Sequence, residues 1–190
     1  MARPKSEQKR ARILAAAIKI LAEEGLDAPT AKISKAAGIA DGSLFTYFAT
    51  KDDLLNQLYL ELKSEGREGM MSAYPANASL EQRLCHVWDK YIDLGLANPD
   101  KYKVLMQLSV SDRISEQTRR TSLEGYEALH IMMQECLMSG ALRAQSSAFG
   151  TALLFSLAEM TLMLIGQHPR DAEQYRNAGF TALWNALTSA

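Results

Sequence analysis

The sequence predicts an all-α protein of about nine helices, and three observations support this prediction. Apolar residues recur at three- and four-residue spacing along most of the chain, which is the period of an α-helix that buries one face. No stretch alternates apolar and polar residues over the length of a strand. The 190 residues are 47% hydrophobic and 23% charged, a composition typical of a globular protein that is large enough to bury a core.

The sequence of the first third of the chain predicts one long helix followed by two short ones. The long helix ends at Gly25, a residue type that is common just after a helix C-terminus. A short helix is expected over Thr30–Ala37, with Thr30 as the candidate N-cap. After Gly38 a second short helix is expected over Asp41–Phe48, and a longer helix begins near Lys51.

Beyond residue 65 the chain predicts a hinge and then a helical body. The segment 66–79, GREGMMSAYPANAS, is rich in loop-forming residues and predicts the hinge. Ser79 and Gln82 have the spacing of a capping box, which predicts a helix start at this point. The other helices of the body are expected after Asn98 and at about Glu116–Ser139, Ser147–Gly166 and Asp171–Thr188.

Charge is distributed unevenly along the chain, although the net charge is only −1. Residues 1–51 hold nine Lys and Arg against five Asp and Glu, a charge of +4. Residues 52–190 hold 12 against 17, a charge of −5. A basic N-terminal region on an acidic body is typical of a protein whose first domain binds a polyanion such as nucleic acid.

The sequence also predicts a cytoplasmic protein with no membrane contact. The N-terminus, MARPKSEQKRAR, lacks the apolar core of a signal peptide. Cys85 and Cys136 form neither a CxxC motif nor a disulfide pattern. The longest apolar run, Ala152–Gly166, is too short to cross a bilayer and contains Glu159, so no membrane span is expected.

Two short helices joined by a turn that contains glycine predict a helix-turn-helix at residues 30–48. Gly38 can adopt the positive φ that such a turn requires, and Asp41 is a candidate cap for the second helix. The missing side chain at Gly42 would let the backbone approach another surface closely. The rings of Phe45 and Phe48 are expected in the core, where they would hold the second helix in place.

The residues around this second helix have the chemistry of DNA contacts. Ser43 and Thr46 are small hydrogen-bonding residues three apart on one face, which suits base edges. Tyr47 and Lys51 suit the phosphate backbone, and Thr30 could serve as a cap, as a phosphate contact or as both. The candidate DNA-binding residues are Thr30, Lys32, Gly42, Ser43, Thr46, Tyr47 and Lys51.

The stretch ISKAAGIADGSLFTYFATKDDLL resembles the N-terminal signature of the TetR/AcrR family of bacterial regulators, approximately IA-xx-AGVS-x-GTLYxYF-xx-KExLL. Most departures are conservative, among them Ser34 for Ala and Ser43 for Thr. Phe45 replaces a Tyr and lacks the hydroxyl that could bond a phosphate. The segments ARPKSE and LFTYFATKDDL further resemble the RamR-like branch, which represses genes that raise multidrug efflux.

The resemblance implies a homodimeric transcriptional regulator, expected to be a repressor, that binds a palindromic operator and is released by a small-molecule effector. Residues 1–51 would be the DNA-binding domain, and residues 52–190 the domain that binds the effector and dimerises. Basic residues of the N-terminal arm would add attraction to the DNA backbone: Lys5, Lys9, Arg10 and Arg12.

The family pairs its last two helices with those of a second subunit as a four-helix bundle. In this chain the last helix carries an apolar stripe that is the expected dimer surface, and the helix before it carries small residues that would allow close approach. The stripe is Phe180, Leu183, Trp184 and Leu187, and the small residues are Gly150, Ala158 and Gly166.

Aromatic and methionine residues of the body are candidates for an effector pocket, because they form flat and adaptable apolar walls. Such walls suit a small apolar or cationic aromatic effector, but the same residues could simply fill the core. Glu159 could close a hydrogen-bond network, lie at the dimer interface or meet a cationic ligand. The candidates are Tyr59, Trp88, Met106, Met133, Phe155 and Glu159.

An enzyme is not expected, so no catalytic residue, metal or cofactor is predicted. The three histidines are scattered, and the chain contains no HExxH, GxSxG, GxGxxG or P-loop motif. Cys85 and His86 lack the further ligands that zinc needs. Two alternatives stay open: an activator instead of a repressor, and a helical ligand carrier or scaffold that does not bind DNA.

Overall fold

The computed structural model describes residues 3–138 and 140–189, with side chains from Ser6 onward. Within these ranges the chain forms ten α-helices, one 3-10 turn at Pro169–Asp171 and no strand, which confirms the all-α prediction. The helices are α1 (Arg3–Glu24), α2 (Thr30–Ala36), α3 (Asp41–Leu44), α4 (Lys51–Met71), α5 (Leu80–Ala97), α6 (Pro99–Ser109), α7 (Glu116–Thr121), α8 (Glu127–Leu137), α9 (Ser147–Gln167) and α10 (Ala172–Thr188).

The helices form two compact units, of which the first contains the described chain up to Glu65 together with Asn98–Leu123. Its core begins on α1, where Ile13, Ala17 and Leu21 recur every four residues and are fully buried. α2 and α6 pack against α1. The other fully buried side chains of this core are Ile33, Leu44, Phe48, Leu54, Leu55, Leu58, Val104 and Leu108.

The second unit contains Gly66–Ala97 and the chain from Glu124 onward. Its central helix is α9, which contacts α5, α8 and α10. Trp88 of α5 is fully buried, and its Nε1 donates a hydrogen bond to the carbonyl oxygen of Arg176 at 3.2 Å. The functional boundary expected after residue 51 stays a prediction.

The long helix expected over Glu116–Ser139 is in fact two helices, α7 and α8. Gly125 has a φ of +80°, a conformation that glycine adopts readily and that ends a regular helix. Ser139, the expected end of that helix, lies outside the described residues. This break explains why the described chain has ten helices where the sequence predicted about nine.

The predicted hinge is shorter than expected, because α4 continues to Met71. A Cβ at Gly69 would lie 2.7 Å from a methyl carbon of Leu94, so the glycine allows α5 to pack closely on the end of α4. At the end of the loop, Ser79 N–H donates to Gln82 Oε1 at 3.1 Å and Gln82 N–H donates to Ser79 Oγ at 3.2 Å. The predicted capping box is confirmed.

The apolar helix α9 is longer than the apolar run Ala152–Gly166 within it. It has 21 residues and a mean hydropathy of 1.8 in its most apolar window, so by length and composition it is able to cross a bilayer. It also packs against α5, α8 and α10, and 33% of that window is buried. The central helix of a soluble bundle has the same properties, so these values are weak evidence for a membrane span.

Candidate nucleic-acid interface and effector region

The turn between α2 and α3 is a Schellman motif centred on Gly38. This residue has a φ of +66°, and its N–H donates to the Lys35 carbonyl at 3.1 Å. The N–H of Ile39 donates to the Ser34 carbonyl at 3.0 Å, so two carbonyls at the end of α2 are satisfied. The turn predicted at Gly38 is confirmed, and its hydrogen bonds fix the direction in which the chain enters α3.

The starts of the two short helices differ from the prediction. Pro29 occupies the N-cap position of α2, where Thr30 was expected, and Ala40 occupies that of α3, where Asp41 was expected. Both predicted caps are therefore wrong, and Thr30 is the first residue of α2. Asp41 still lies in the first turn of α3, where the partial positive charge of the helix N-terminus stabilises a carboxylate.

α3 covers only Asp41–Leu44, whereas the prediction extended this helix to Phe48. The chain continues as a tighter turn, in which the N–H groups of Thr46 and Tyr47 donate to carbonyls three residues back at 3.2 and 2.9 Å. Such bonds are those of a 3-10 helix. Residues 41–48, hereafter the reading segment, therefore keep a helical outline.

The two phenylalanines of the reading segment lie in opposite environments. Phe48 is fully buried with Leu44 in the core of the first unit, as predicted. Phe45 is 49% exposed, so the prediction that it lies in the core is wrong. Leu44 and Phe48 are four residues apart and occupy the inward face of the helix, which leaves Phe45 on the outer flank.

Gly42 and Thr46 form the outward face of the reading segment. Both are exposed, and at 100° per residue they lie opposite its buried side chains, with Ser43 and Tyr47 half-buried on one flank. A Cβ at Gly42 would meet no atom of the described chain within 4 Å, and the φ of Gly42 is not positive. The fold therefore does not require a glycine at this position.

The two lysines predicted to contact DNA differ in their surroundings. Lys32 Nζ donates to both carboxylate oxygens of Glu24, at 2.8 and 2.7 Å, so its charge is already paired. Lys51 opens α4 and is half-buried, and burial followed by the Arg113 guanidinium lowers the pKa of its ammonium. A phosphate beside Lys51 would oppose that shift, because a negative charge favours the ammonium form.

Basic residues of the N-terminal arm lie on a helix, because α1 begins at Arg3. Lys9 and Arg12 are exposed, as phosphate contacts require. Arg10 Nη2 donates to Gln57 Oε1 at 3.2 Å, and its guanidinium lies 5.9 Å from the centre of the Phe48 ring. Arg10 therefore helps to hold the reading segment in place. The side chain of Lys5 lies outside the described residues.

A cluster around Arg113, which was not predicted from the sequence, attaches the α6–α7 loop to the start of α4. Arg113 Nε donates to Asp52 Oδ1 at 2.6 Å, and its Nη1 donates to the Leu26 carbonyl at 3.2 Å. Asn56 donates to the Arg113 carbonyl at 2.8 Å and accepts from Ser115 N–H at 2.9 Å. Arg113 and Asp52 are 61 residues apart in sequence, so no local pattern indicates this pair.

Ser34 is a polar residue in the apolar core of the helix-turn-helix, where the family signature has Ala. It is fully buried, and among the described residues its hydroxyl has no hydrogen-bond partner. Such an unsatisfied group costs about 1–3 kcal/mol. We expect Ser34→Ala to raise the free energy of unfolding by about 1 kcal/mol in urea denaturation. The control is Ser109→Ala, which should lower it because the Ser109 hydroxyl donates to the Leu105 carbonyl at 2.8 Å.

The candidate effector residues are divided between the two units. Tyr59 and Met106 belong to the first, where Tyr59 is part of the core. Trp88 and Met133 belong to the second and are fully buried there. Their assignment to an effector pocket stays a prediction.

Phe155 and Glu159 of α9 are more accessible than the other candidates of the second unit. Phe155 is half-buried, and its ring centre lies 5.2 Å from that of Tyr91. Glu159 is also half-exposed, so it is not the buried carboxylate that its place in an apolar run suggests. A partly solvated carboxylate needs no compensating charge in the core.

A cavity of about 300 Å³ lies in the second unit, where α8 ends and α9 begins. This volume is at the lower end of the range for small-molecule sites. Its lining includes none of the six candidate effector residues. The cavity was not predicted because the polar residues that connect two helices show no apolar periodicity. The described lining residues are Gln134, Leu137, Met138, Arg143, Gln145, Ser146 and Ser147.

The side chains of Cys85 and His86 make contacts within the protein that are typical of structural residues. Burial, then the neighbouring Asp89 carboxylate, raises the pKa of the Cys85 thiol to about 11, so the thiol stays protonated near neutral pH. His86 packs edge-to-face on Tyr74, with ring centres 6.0 Å apart. Over the described part of the chain, no three His, Cys, Asp or Glu residues are grouped as a metal site would require.

Leu183 and Leu187 of the apolar stripe predicted as the dimer surface on α10 pack inside the second unit, so these two residues are not available to a second subunit, and the pairing of the last two helices stays a prediction. Leu183 and Leu187 are fully buried, Trp184 is half-buried, and the Phe180 ring centre lies 6.4 Å from that of Trp88. The exposed face of α10 carries small residues instead, among them Ala178, Ala182 and Ala186.

Comparison with known proteins identifies the N-terminal part of the chain. The family model described as "Bacterial regulatory proteins, tetR family" matches residues 13–58, which run from α1 into α4. The chain is also similar to the fatty acid metabolism regulator protein of Bacillus subtilis (strain 168). The two are 30% identical over an alignment of 160 positions, which covers 78% of this chain and 80% of that protein.

Two solved structures share the fold over almost the whole chain. The transcriptional regulator FadR from Bacillus subtilis, in complex with stearoyl-CoA, has a TM-score of 0.70 at 21% identity and covers 93% of this chain and 98% of its own. LfrR from Mycobacterium smegmatis, in complex with proflavine, has a TM-score of 0.69 at 19% identity, with 96% and 98% covered. With its helix-turn-helix, its family match and its 30% identical relative, this chain belongs to the TetR family of bacterial regulatory proteins and is a DNA-binding transcriptional regulator.

Proposed function

We propose that this regulator is a homodimeric repressor that binds a palindromic operator in the bacterial cytoplasm and is released from it by a small-molecule effector. One observation carries the DNA-binding part: Gly42 and Thr46 are exposed on a platform held by the buried side chains of Leu44 and Phe48. This platform offers bare backbone and a hydroxyl to a major groove, with no large side chain directly in the way.

Operator binding is tested by fluorescence anisotropy with fragments of the DNA upstream of the gene. We expect one palindromic fragment to bind with an affinity that falls steeply as salt rises, because Lys and Arg contacts release counterions from phosphates. An absence of binding to every fragment at low salt would contradict the proposal and favour a helical ligand carrier. Transcription from the bound promoter in vitro then separates a repressor from an activator.

Base and phosphate contacts are separated by two substitutions. Thr46→Ala should relax preference at one position of each half-site, at a cost of about 1–3 kcal/mol on the preferred sequence. Lys51→Ala should weaken binding to all sequences alike and reduce the salt slope by about one per contact. Lys103→Ala, an exposed lysine of α6 in the same unit, is the matched control. Equal weakening of all sequences by both variants would show that the two roles are wrongly assigned.

The positions of the remaining candidate residues support a role in DNA contact to different degrees. Thr30 begins α2, and Ser43 and Tyr47 flank the outward face of the reading segment, so all three can reach phosphate or base edges when α3 enters a groove. Lys32 would have to exchange its Glu24 carboxylate for a phosphate. We therefore assign Lys32 a smaller contribution than Lys51.

The proposed dimer surface lies on α9 and α10. Phe149, Met160 and Met163 are 48%, 45% and 55% exposed, and their spacing of eleven and three residues places them on one side of α9. Exposed apolar side chains on one helix beside small exposed alanines on the next suit close packing against a second copy. Light scattering should give twice the mass of one chain, and a monomeric mass at micromolar concentration would contradict the dimer.

Two effector classes are candidates, each with its own support. A long-chain acyl-CoA is supported by the relative that regulates fatty acid metabolism and by the stearoyl-CoA bound to FadR. A cationic aromatic molecule, with control of multidrug efflux, is supported by the RamR-like N-terminal motifs and by the proflavine bound to LfrR. Adding stearoyl-CoA or proflavine to the operator complex distinguishes them, and no release by either would contradict both.

A further inference from the structure

An exposed aromatic ring stands next to the outward face of the reading segment, and none of the DNA contacts assigned above uses it. Phe45 is 49% exposed, between the buried Leu44 and the exposed Thr46. Its phenyl group has no donor or acceptor, so it cannot bond to a phosphate oxygen or a base edge. A large apolar side chain on a surface that otherwise offers hydroxyls and backbone needs an apolar partner when water is displaced from that surface.

The backbone around Phe45 is well defined. Phe45 has φ −72° and ψ −6°, and the N–H groups of the next two residues bond to carbonyls three residues back. Leu44 before it and Phe48 after it are both fully buried and fix the turn at two points. The ring therefore leaves the segment from a fixed backbone position on the flank of the DNA-facing surface.

Only one group in the major groove is apolar and specific to one base. It is the C5-methyl group of thymine, because the other features of the four base pairs at that edge are donors and acceptors. We propose that Phe45 determines specificity by packing against a thymine methyl in each operator half-site, beside the base pair that Thr46 contacts. This inference rests on the operator binding proposed above and adds to it the identity of one recognised base.

The alternative is that the ring covers deoxyribose carbons of the backbone. Sugar carbons are the same at every nucleotide, so such a contact would increase affinity for all sequences equally. Only the thymine contact depends on the C5-methyl group. Replacing a deoxythymidine by deoxyuridine removes this methyl group without any change in base pairing, so it distinguishes the two possibilities.

The experiment first selects the preferred operator from random DNA with the wild-type protein. Each thymine of that operator is then replaced singly by uracil, and binding is measured by fluorescence anisotropy at one salt concentration. For the wild type we expect one position per half-site where uracil weakens binding about fourfold, the effect of losing contact with one methyl group. For Phe45→Ala the loss should already be present with thymine, and uracil at that position should have no further effect.

Two further variants keep the result interpretable. Phe45→Leu retains apolar carbons and should retain part of the preference for thymine over uracil. Val110→Ala changes another exposed apolar residue of the same unit and should leave the whole uracil profile unchanged. Because Phe45 is half-exposed, its truncation is expected to leave the protein folded, which circular dichroism verifies.

Equal uracil effects in the wild type and in Phe45→Ala at every position would overturn the inference while leaving operator binding intact. Equal weakening of all sequences by Phe45→Ala would assign the ring to the sugar–phosphate backbone and would also overturn it. If no operator is selected at low salt, the proposed operator binding fails together with this inference, and that result is seen before any uracil is introduced.

Discussion

Gly42→Leu is expected to abolish specific operator binding while leaving the free protein as stable as the wild type or slightly more stable. In the free protein a Cβ at position 42 would meet no described atom within 4 Å, and the backbone there has no positive φ. Glycine inside a helix is less favourable than alanine by about 0.5–1 kcal/mol, so the substitution removes an unfavourable residue from the fold. The reason for glycine must then lie in what approaches this surface.

A leucine at position 42 would project from the outward face of the reading segment, beside Thr46. It would hold the backbone of α3 away from the base edges and prevent hydrogen bonds that need donor–acceptor distances near 2.9 Å. We expect a loss of at least about 100-fold in operator affinity, equivalent to about 2.8 kcal/mol. Gly42→Ala should show an intermediate loss, because it adds only one carbon.

Gly66→Leu is the matched control, because a Cβ there also meets no described atom within 4 Å and the residue lies on α4, outside the reading segment. Like Gly42→Leu, it should be as stable as the wild type or slightly more stable, because it also removes a glycine from a helix, but it should leave operator affinity unchanged. Anisotropy with the selected operator and thermal unfolding followed by circular dichroism measure the two quantities. Wild-type affinity in Gly42→Leu would show that α3 does not approach DNA through this face, and unfolding of that variant would show that the fold needs the glycine after all.

Trp88→Ala is expected to produce the largest loss of stability among the substitutions considered. The side chain is fully buried, its Nε1 donates to the Arg176 carbonyl at 3.2 Å, and α10 approaches its ring at Gly179, where a Cβ would lie 2.7 Å from Cζ2. Truncating a buried tryptophan costs about 3–5 kcal/mol, through lost burial and the cavity that remains. This is a large part of the 5–15 kcal/mol by which a typical domain is stable.

Denaturation by urea, followed by circular dichroism, measures this loss without relying on tryptophan fluorescence. Trp184→Ala is the matched control, because Trp184 lies in the same unit but is only half-buried, and its loss should be clearly smaller. If Trp88→Ala were as stable as the wild type but responded differently to stearoyl-CoA or proflavine, Trp88 would line the effector pocket. That outcome would support the prediction made from the sequence.

Local features of this protein were predicted well because they depend on neighbours in the chain. Helical periodicity located the helices, Gly38 marked the turn of the helix-turn-helix, and Ser79 with Gln82 marked a helix start. The two predicted N-caps failed because cap position depends on where the first intrahelical bond forms, and in both cases this is one residue earlier than the polar side chain suggests.

Features that depend on which element covers which face were not predicted. The reading segment has two phenylalanines of equal hydrophobicity, and only packing into the core of the first unit decides that Phe48 is buried and Phe45 is exposed. On α10 the helical period of the apolar stripe did not indicate that Leu183 and Leu187 are covered by the same subunit, while three alanines face outward. Arg113 and Asp52 meet only because the chain brings residues 61 positions apart together.

The sequence by itself therefore determined the all-helical fold, the position of the helix-turn-helix and membership of the TetR family, since these follow from local periodicity, turn chemistry and the residues of one short motif. The tertiary structure alone decided which side chains of that motif remain available to DNA. The physical reason is that periodicity shows that a helix has an apolar face but not how much of it neighbouring helices cover. The exposure of Phe45, and with it the proposed recognition of thymine, is a consequence of that packing.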